Sequence, residues 1–388
     1  MISKRKREME LYLHIPFCVR KCDYCDFLSF PTGMEEKEQY VQELIKEIRS
    51  WKDRGDVSVS SVFIGGGTPS ILKAEQIGRI MQTIKEEYEL EEDAEITMEA
   101  NPGTLDSEKF AVCKDAGINR LSIGLQSAQN EELKLLGRIH TWEEFLESFS
   151  LARRAGFSNI NVDLMSALPG QKEDTWEDTL QKVLALKPEH ISAYGLIVEE
   201  GTPFFSRYGE DLKRQEAGAD CLILPSEEAE RRMYQRTKEL LGQYGYERYE
   251  ISNYAKHGKA CRHNMGYWDR KEYKGFGLGA ASLLQEIRYA NNTSLKEYLK
   301  GHWTLEEAEV LGKKEQMEEQ MFLGLRMMRG VSEAAFAKKY GISVDAVYGD
   351  VLKKMCGQEL LWRKDGWIRL TEKGIDISNY VLSHFLLD

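Results

Sequence analysis

The sequence predicts an α/β fold: a partial, open (β/α)6 barrel followed by a mainly helical, winged-helix-like C-terminal domain. In the first half of the chain, six short β-rich runs alternate with stretches whose apolar residues return every three or four positions. Repeated β-then-α units of this kind imply a parallel sheet with right-handed crossovers. Six units are too few for a closed eight-stranded barrel, so we expect an open one.

These patterns assign the units along the chain. The predicted strands are Leu11–Pro16, Ser61–Gly66, Glu95–Ala100, Arg120–Leu125, Asn159–Met165 and His190–Leu196, and the clearest helices are Lys37–Trp51, Ala74–Tyr88 and Trp142–Ala155. In β/α barrels the rim at the strand C-termini carries the active site. A turn or a helix cap would explain any one polar cluster there. Five clusters on one rim favour a functional site: His14, Gly65–Pro69, Glu99–Pro102, Gln126 and Asp163.

The alternation stops near residue 200, and this is where we divide the chain. Residues 1–200 are expected to form the barrel, residues 201–300 an extension of it, and residues 301–388 the C-terminal domain. In the last segment we expect three helices and a hairpin, at Leu305–Met328, Ser332–Tyr340, Ser343–Met355 and Leu361–Leu370. Residues 305–388 contain 12 Lys and Arg against 14 Asp and Glu, so a packing role is favoured over DNA binding.

Composition restricts the class of protein further. The 388 residues are 42% hydrophobic and 30% charged, and the net charge is −11. Such a charge argues against a protein that coats nucleic acid. No apolar run is long enough to cross a bilayer, and no apolar segment follows the basic start. We therefore expect a cytoplasmic protein without a nucleic-acid partner, and the sequence is compatible with a homodimer.

Three of the seven cysteines lie within eight residues, as Cys18-x3-Cys22-x2-Cys25. In an intracellular chain such a cluster more often holds a metal than forms disulfides. Thiolates are the preferred ligands of iron–sulfur clusters, and three on one loop can each reach one corner of a 4Fe–4S cube. The fourth iron is then open. A zinc site would need more ligands at zinc-finger spacing, which the sequence lacks; redox thiols and chance clustering remain as alternatives.

This loop resembles the signature of the radical SAM superfamily, in which three cysteines follow the first strand of a partial barrel. The resemblance implies that the amino and carboxylate groups of S-adenosylmethionine (SAM) chelate the open iron. In catalytic members the reduced cluster passes an electron to the sulfonium and releases a 5′-deoxyadenosyl radical. The cluster and the cofactor supply that chemistry, and the protein orients them.

Further motifs resemble one branch of the superfamily, the oxygen-independent coproporphyrinogen oxidases and their relatives. They are Leu11–Cys18, Gly65–Pro69, Glu99–Pro102, Ser122–Gln126, Leu136–His140 and Asn161–Leu164. The resemblance implies that SAM is contacted by Tyr12, Tyr24, Gly66, Gly67, Thr68, Glu99, Gln126, Arg138 and Asp163, with Ile197 and Ala281 beside the adenine. These residue types suit the roles, because glycine lets the backbone approach a ligand, carboxylates accept from ammonium or hydroxyl groups, and arginine pairs with carboxylates.

Two features distinguish this chain within that branch. The decarboxylating oxidases carry a fourth cysteine two residues after the third, where this chain has Phe27, which counts against oxidase activity. The second feature is an H-N-x-x-Y-W pattern that resembles the haem-binding motif of the HemW family of haem chaperones: His263, Asn264, Tyr267 and Trp268. Imidazole is a common axial ligand of haem iron, and aromatic rings pack on porphyrin faces. The structural alternative is a satisfied loop histidine beside buried aromatic rings.

We therefore predict a haem chaperone built on a radical SAM scaffold. It would bind a 4Fe–4S cluster, SAM and haem, and it would deliver haem to acceptor haemoproteins, including respiratory, membrane-associated ones. The chief alternative is a radical SAM enzyme that acts on a tetrapyrrole, with oxygen-independent coproporphyrinogen III oxidase activity. A DNA-binding regulator that uses the C-terminal domain is the more distant alternative.

Overall fold

The structure, a computed structural model, describes residues 6–51 and 57–387. Its first half contains β1 (Arg7–Ile15), α1 (Met34–Ser50), β2 (Val57–Gly66), α2 (Ala74–Glu87), β3 (Leu90–Ala100), α3 (Ser107–Asp115), β4 (Arg120–Gln126), α4 (Asn130–Leu135), α5 (Trp142–Arg154), β5 (Ile160–Ser166), α6 (Glu173–Ala185) and β6 (His190–Gly195). Strands β1 to β6 lie side by side in chain order, and every neighbouring pair is parallel. The predicted six-stranded partial barrel is confirmed.

The chain then adds strands to both edges of this sheet. The added elements are α7 (Pro203–Glu216), α8 (Glu227–Gln243), β7 (Glu247–Arg248), β8 (Asn253–Ala255), α9 (Arg262–Trp268), β9 (Tyr273–Phe276), β10 (Ala281–Leu284), β11 (Ile287–Asn291), α10 (Leu295–Tyr298) and β12 (Thr304–Val310). Strand β9 pairs in parallel with β1, and β10 to β12 continue from it as an antiparallel meander. At the opposite edge, β8 pairs antiparallel with β6. Twelve of the described strands thus form one sheet.

Strand β1 shows how the sheet separates two environments. Its alternate residues Met9, Leu11, Leu13 and Ile15 are fully buried and belong to the apolar core that also contains side chains of α1. Side chains along a strand alternate between its two faces, so the intervening residues point to the inside of the barrel. That inner face is polar near the start of the strands and carries six buried side chains: Glu10, Ser61, Glu95, Arg120, Asn161 and His190. The register aligns the first three with one another and the last two with each other, whereas Arg120 lies opposite Thr97.

The C-terminal region forms a second apolar core around a small sheet. Its elements are α11 (Lys313–Gly324), β13 (Val331–Ser332), α12 (Glu333–Tyr340), α13 (Val344–Gly357), β14 (Leu361–Lys364), β15 (Trp367–Leu370), α14 (Glu372–Asp376) and α15 (Ser378–Ser383). The order of two helices and a hairpin confirms the mainly helical, winged-helix-like prediction. None of the described helices is long and apolar enough to span a membrane.

One predicted helix was wrong at its start. Residues 304–310 form strand β12 rather than the first turns of a helix over Leu305–Met328, which begins only at Lys313. The sequence of this stretch suits a helix locally, but β12 pairs antiparallel with β11, and these hydrogen bonds outweigh a weak local preference. The division of the chain at residues 200 and 300 stays a prediction, and β12 belongs to the large sheet although it lies beyond the second boundary.

Candidate functional site

The three cysteines of the loop after β1 line one cavity, of about 490 Å³, at the C-terminal ends of the barrel strands. We call it the cluster cavity. Backbone hydrogen bonds shape the loop: the Cys18 amide donates to the Phe30 carbonyl at 3.1 Å, and the Cys25 amide to the Cys22 carbonyl at 3.2 Å. These bonds hold the loop that carries the three cysteines at the wall of this cavity. Among the described residues, no three His, Cys, Asp or Glu side chains converge as they would on a single metal ion.

Two of these sulfurs accept hydrogen bonds from neighbouring side chains. The Thr68 hydroxyl donates to Cys18 Sγ at 3.5 Å, and Arg138 Nη1 donates to Cys22 Sγ at 3.5 Å. Arg138 is held in place by Nη2, which donates to the Gly124 carbonyl at 2.6 Å and to Asn101 Oδ1 at 2.8 Å. These contacts hold two of the three sulfurs in place at the wall of the cavity.

The glycine turn after β2 forms a wall of the cluster cavity. Gly66 has φ of +111°, and a Cβ atom there would lie 2.5 Å from the His14 ring. That ring is fixed on both sides: the Tyr12 hydroxyl donates to Nδ1 at 2.9 Å, and Nε2 donates to the Leu28 carbonyl at 2.9 Å. A Cβ on Gly67 would meet the Phe17 carbonyl oxygen at 2.7 Å. Glycine is required at both positions because the backbone passes too close to its neighbours.

Two half-buried carboxyl groups, Glu99 and Asp163, face the same cavity. Glu99 Oε2 accepts from the Gly66 amide at 3.0 Å, and Asp163 accepts from Asn161 Nδ2 at 2.8 Å and from the Ser122 hydroxyl at 3.1 Å. Burial, reinforced by the neighbouring Asp163, raises the pKa of Glu99 to about 8. Burial also raises the pKa of Asp163. A cation placed in this cavity would therefore stabilise both carboxylates.

Three more of the predicted residues line the cluster cavity: Tyr24, Gln126 and Ile197. Gln126 has φ of +75°, a conformation that costs energy for a residue with a side chain, and its Oε1 accepts from the Tyr194 hydroxyl at 3.0 Å. Ile197 is 70% exposed and lies at the mouth. With these, all but two of the residues predicted to contact SAM line one space.

The H-N-x-x-Y-W pattern lies on α9, packed against the inner face of the barrel. His263 is buried, its Nδ1 is hydrogen-bonded to the Ser61 hydroxyl at 2.8 Å, and its ring stacks on Phe63 with a centroid distance of 5.1 Å. Burial, together with the Arg120 charge, lowers the pKa of His263 to about 3, so the imidazole is neutral. The Glu95 carboxylate accepts from the His263 amide at 3.2 Å. His263 therefore matches the structural alternative in being buried beside aromatic rings, but it is not fully satisfied, because its buried Nε2 has no hydrogen-bond partner.

A second cavity, of about 440 Å³, lies beside the last turn of α9, and we call it the aromatic cavity. It is lined by Tyr12 and Ala281, the two residues that were predicted to contact SAM but do not line the cluster cavity. Of the haem motif, His263 and Asn264 line neither the cluster cavity nor the aromatic cavity. The lining is Tyr12, Tyr267, Trp268, Arg270, Tyr273, Ala281, Leu283, Arg288, Glu319 and Leu323. Two buried donors there, Trp268 Nε1 and Arg270 Nη1, have no hydrogen-bond partner. Buried donors are normally satisfied, so the cavity suits an aromatic ligand with acceptor groups.

Comparisons with known proteins agree with this geometry. Residues 12–183 match the radical SAM superfamily, and residues 311–377 match the HemN C-terminal domain. The chain is 39% identical over 379 residues to the heme chaperone HemW of Lactococcus lactis, covering 97% of each chain. It is 38% identical over 382 residues to the heme chaperone HemW of Bacillus subtilis, covering 97% of this chain and 98% of the relative. The chain belongs to the HemW family.

The fold has a solved counterpart outside that family. The structure of coproporphyrinogen III oxidase (HemN) from Escherichia coli superposes with a TM-score of 0.83, covering 99% of this chain and 91% of that one, at 22% identity. At this identity the likeness shows a shared fold. Phe27, which stands where the oxidases have their fourth cysteine, is 64% exposed at the mouth of the cluster cavity.

Sequence reasoning missed several residues of the two cavities in this HemW-family chain. Asn101, Ser122 and Tyr194 line the cluster cavity; the first two fall within motifs noted in the sequence, so the signal was present. Arg270 and Glu319 of the aromatic cavity carried no comparable signal, since they are 49 positions apart and meet only through an ion pair of 2.7 Å.

Proposed function

We propose that this chain is a haem chaperone that holds a 4Fe–4S cluster on Cys18, Cys22 and Cys25, SAM beside that cluster, and haem in the aromatic cavity. It would act in the cytoplasm and pass haem to acceptor haemoproteins. The observation that carries this proposal is the presence of two separate cavities of opposite chemistry in a chain of the HemW family.

The cluster cavity fits an iron–sulfur cube. A cube takes one thiolate per iron, so its ligands must surround a space rather than converge on a point. Lining of one cavity by all three cysteines supports this proposal, as do the hydrogen bonds that Thr68 and Arg138 donate to two of the sulfurs. The cluster would supply redox chemistry and an open iron for SAM.

The same cavity fits SAM, which carries a sulfonium and an ammonium group. Glu99 and Asp163 provide two carboxylates that a cation would stabilise. Gly66 and Gly67 present backbone instead of side chains to the cavity beside the amino acid end of the ligand, and Tyr24, Gln126 and Ile197 complete the lining. We assign SAM contact to these residues and not to Ala281, while Tyr12 acts through His14, which it orients.

The aromatic cavity fits haem, a flat ring system with two carboxylates. Tyr267, Trp268 and Tyr273 offer ring faces, and the unpartnered donors of Trp268 and Arg270 suit propionate oxygens. His263 lies behind Tyr267, at a ring distance of 4.8 Å. We therefore assign His263 to support of the cavity wall, rather than to the haem iron.

Haem titration of the anaerobically reconstituted protein tests the proposal. We expect Trp268→Ala to weaken haem binding by at least tenfold, because a ring and a donor are both lost. Trp362→Ala is the matched control, since each tryptophan carries an arginine on its ring, Arg326 in one case and Arg369 in the other. Equal haem affinities of Trp268→Ala and the parent would show that the cavity is not the haem site.

A second measurement distinguishes support from ligation by His263. If the imidazole only supports the wall, His263→Gln leaves the position of the haem Soret band unchanged, whereas loss of an axial ligand shifts it. Delivery is tested by following haem transfer from the loaded protein to an apo-haemoprotein such as apomyoglobin. No transfer above the rate of free haem would contradict a chaperone role.

The radical enzyme remains the second candidate because the three cysteines and nine of the eleven residues predicted to contact SAM line the cluster cavity. Incubation of reduced protein with SAM and coproporphyrinogen separates the two functions. Formation of 5′-deoxyadenosine together with CO2 would favour the enzyme, and absence of both from a protein that binds haem would favour the chaperone.

A further inference from the structure

A chain of hydrogen bonds crosses the barrel interior from the cluster cavity to the motif helix α9. It begins at the Asp163 carboxyl group, which accepts from Asn161 Nδ2 at 2.8 Å. Asn161 Oδ1 lies 2.6 Å from His190 Nδ1, and His190 Nε2 lies 2.8 Å from the Tyr249 hydroxyl. The Tyr249 hydroxyl in turn accepts from the backbone amide of Cys261 at 3.3 Å. Cys261 is the residue that immediately precedes α9.

The two ends of this chain fix the direction of every bond. The Cys261 amide can only donate and an ionised Asp163 can only accept, so the amide group of Asn161 faces Asp163 and its carbonyl oxygen faces His190. His190 must then carry its proton on Nδ1. Burial lowers the pKa of His190, so Nε2 has no proton and accepts from the Tyr249 hydroxyl. The Tyr249 oxygen is left to accept from Cys261.

The far end of the chain bears on the aromatic cavity. Cys261 begins the helix whose last residues, Tyr267 and Trp268, form the cavity wall. Tyr249 also holds the C-terminal domain, because its carbonyl accepts from the Met328 amide at 2.9 Å. A change in the bond between Tyr249 and Cys261 therefore acts on α9 and on the C-terminal domain, and both of these contribute residues to the aromatic cavity.

We propose that His190 and Tyr249 are positioning residues that couple the two sites, so that SAM bound beside Asp163 tightens haem binding in the aromatic cavity. SAM is a cation, and a cation favours the ionised form of Asp163, which is then a charged acceptor at one end of the chain. Hydrogen bonds to a charged acceptor are stronger, and bonds in a chain strengthen one another. This inference rests on the proposed function, because it requires both ligands to bind.

The test is the dissociation constant of haem, measured by absorption titration of the full, anaerobically reconstituted chain with and without saturating SAM. We expect SAM to tighten haem binding on the order of fivefold, and haem to tighten SAM binding by the same factor, because coupling is reciprocal. Tyr249→Phe removes one oxygen from the series of hydrogen bonds. Both ligands should still bind to this variant, but the factor by which SAM tightens haem binding should fall to about one.

Tyr348→Phe is the matched control, since Tyr348 is a buried tyrosine of the C-terminal domain whose hydroxyl has no hydrogen-bond partner. In this variant SAM should tighten haem binding by the same factor as in the parent protein. The coupling is overturned if SAM does not change haem affinity in the parent, or if the factor is unchanged in Tyr249→Phe. Either result leaves the haem chaperone proposal standing. Failure of the parent to bind haem at all overturns that proposal and this inference with it.

Discussion

The cluster cavity and the aromatic cavity are similar in volume, about 490 Å³ and 440 Å³. They differ in the polar groups that face them. The first contains two carboxyl groups, Glu99 and Asp163, whose pKa values are raised mainly because they are withdrawn from water, although the Arg120 charge opposes this rise. The second contains buried N–H donors without an acceptor. One cavity is therefore prepared for a cation and the other for an anion. This difference is the physical basis for assigning them two different ligands.

The largest expected effect is loss of the cluster. Cys22→Ser removes one of three thiolates, and we expect iron and sulfide content to fall from about four of each per chain to near zero. Iron analysis and EPR of the reconstituted protein measure this. Cys356→Ser, in the C-terminal domain, should keep full iron content. Equal iron in both variants would be incompatible with our ligand assignment.

Next in size is the effect of adding a side chain to the glycine turn after β2. Gly66→Ala places a Cβ atom against the His14 ring at a φ of +111°, and we expect about 2–4 kcal/mol of lost stability together with loss of SAM binding. Gly156→Ala shares a positive φ of +84° but has no atom within 4 Å of the added Cβ. Its cost should be only the roughly 1–2 kcal/mol of the backbone conformation. Similar melting temperatures for the two variants would rule out the close approach at Gly66.

A pair of mild substitutions tests whether the cavities bind separate ligands. Glu99→Gln removes a charge from the cluster cavity, and Trp268→Phe removes a donor from the aromatic cavity. We expect the first to weaken SAM about tenfold and the second to weaken haem about tenfold, each roughly 1.4 kcal/mol. Calorimetry with SAM and absorption titration with haem measure the two affinities. If either variant weakened both ligands equally, the assignment of one ligand to each cavity would fail.

The smallest expected effect is on the pH dependence of SAM binding. With a pKa raised to about 8, Glu99 is protonated in the empty protein near neutral pH, and the proton must leave before the carboxylate can pair with a cation. SAM affinity should therefore rise severalfold between about pH 6 and about pH 7.5, a range in which the SAM amino group stays protonated. Glu99→Gln should show a flatter profile. An affinity of the parent that falls over this range would contradict the assignment.

The contrast between the cavities also shows how far sequence reasoning reached. Nearly every residue predicted for the cluster cavity lines it, because those residues follow successive strands and parallel strands end at one rim. The haem motif was located in the sequence, and haem binding by His263 stays a prediction, but the sequence did not show that this histidine is buried. His263 lies against Ser61, 202 positions away, and no local pattern encodes that contact.

The sequence by itself determined the parallel barrel, the cysteine loop and the glycine turn, since each depends on short-range periodicity or spacing. Tertiary structure alone decided where α9 lies, because β9 pairs with β1 across more than half of the chain. That pairing closes the aromatic cavity around Tyr12 and Ala281, and it also carries residues 304–310 into the sheet as β12. The register between distant strands depends on the packing of the whole molecule, so a local sequence pattern cannot predict it.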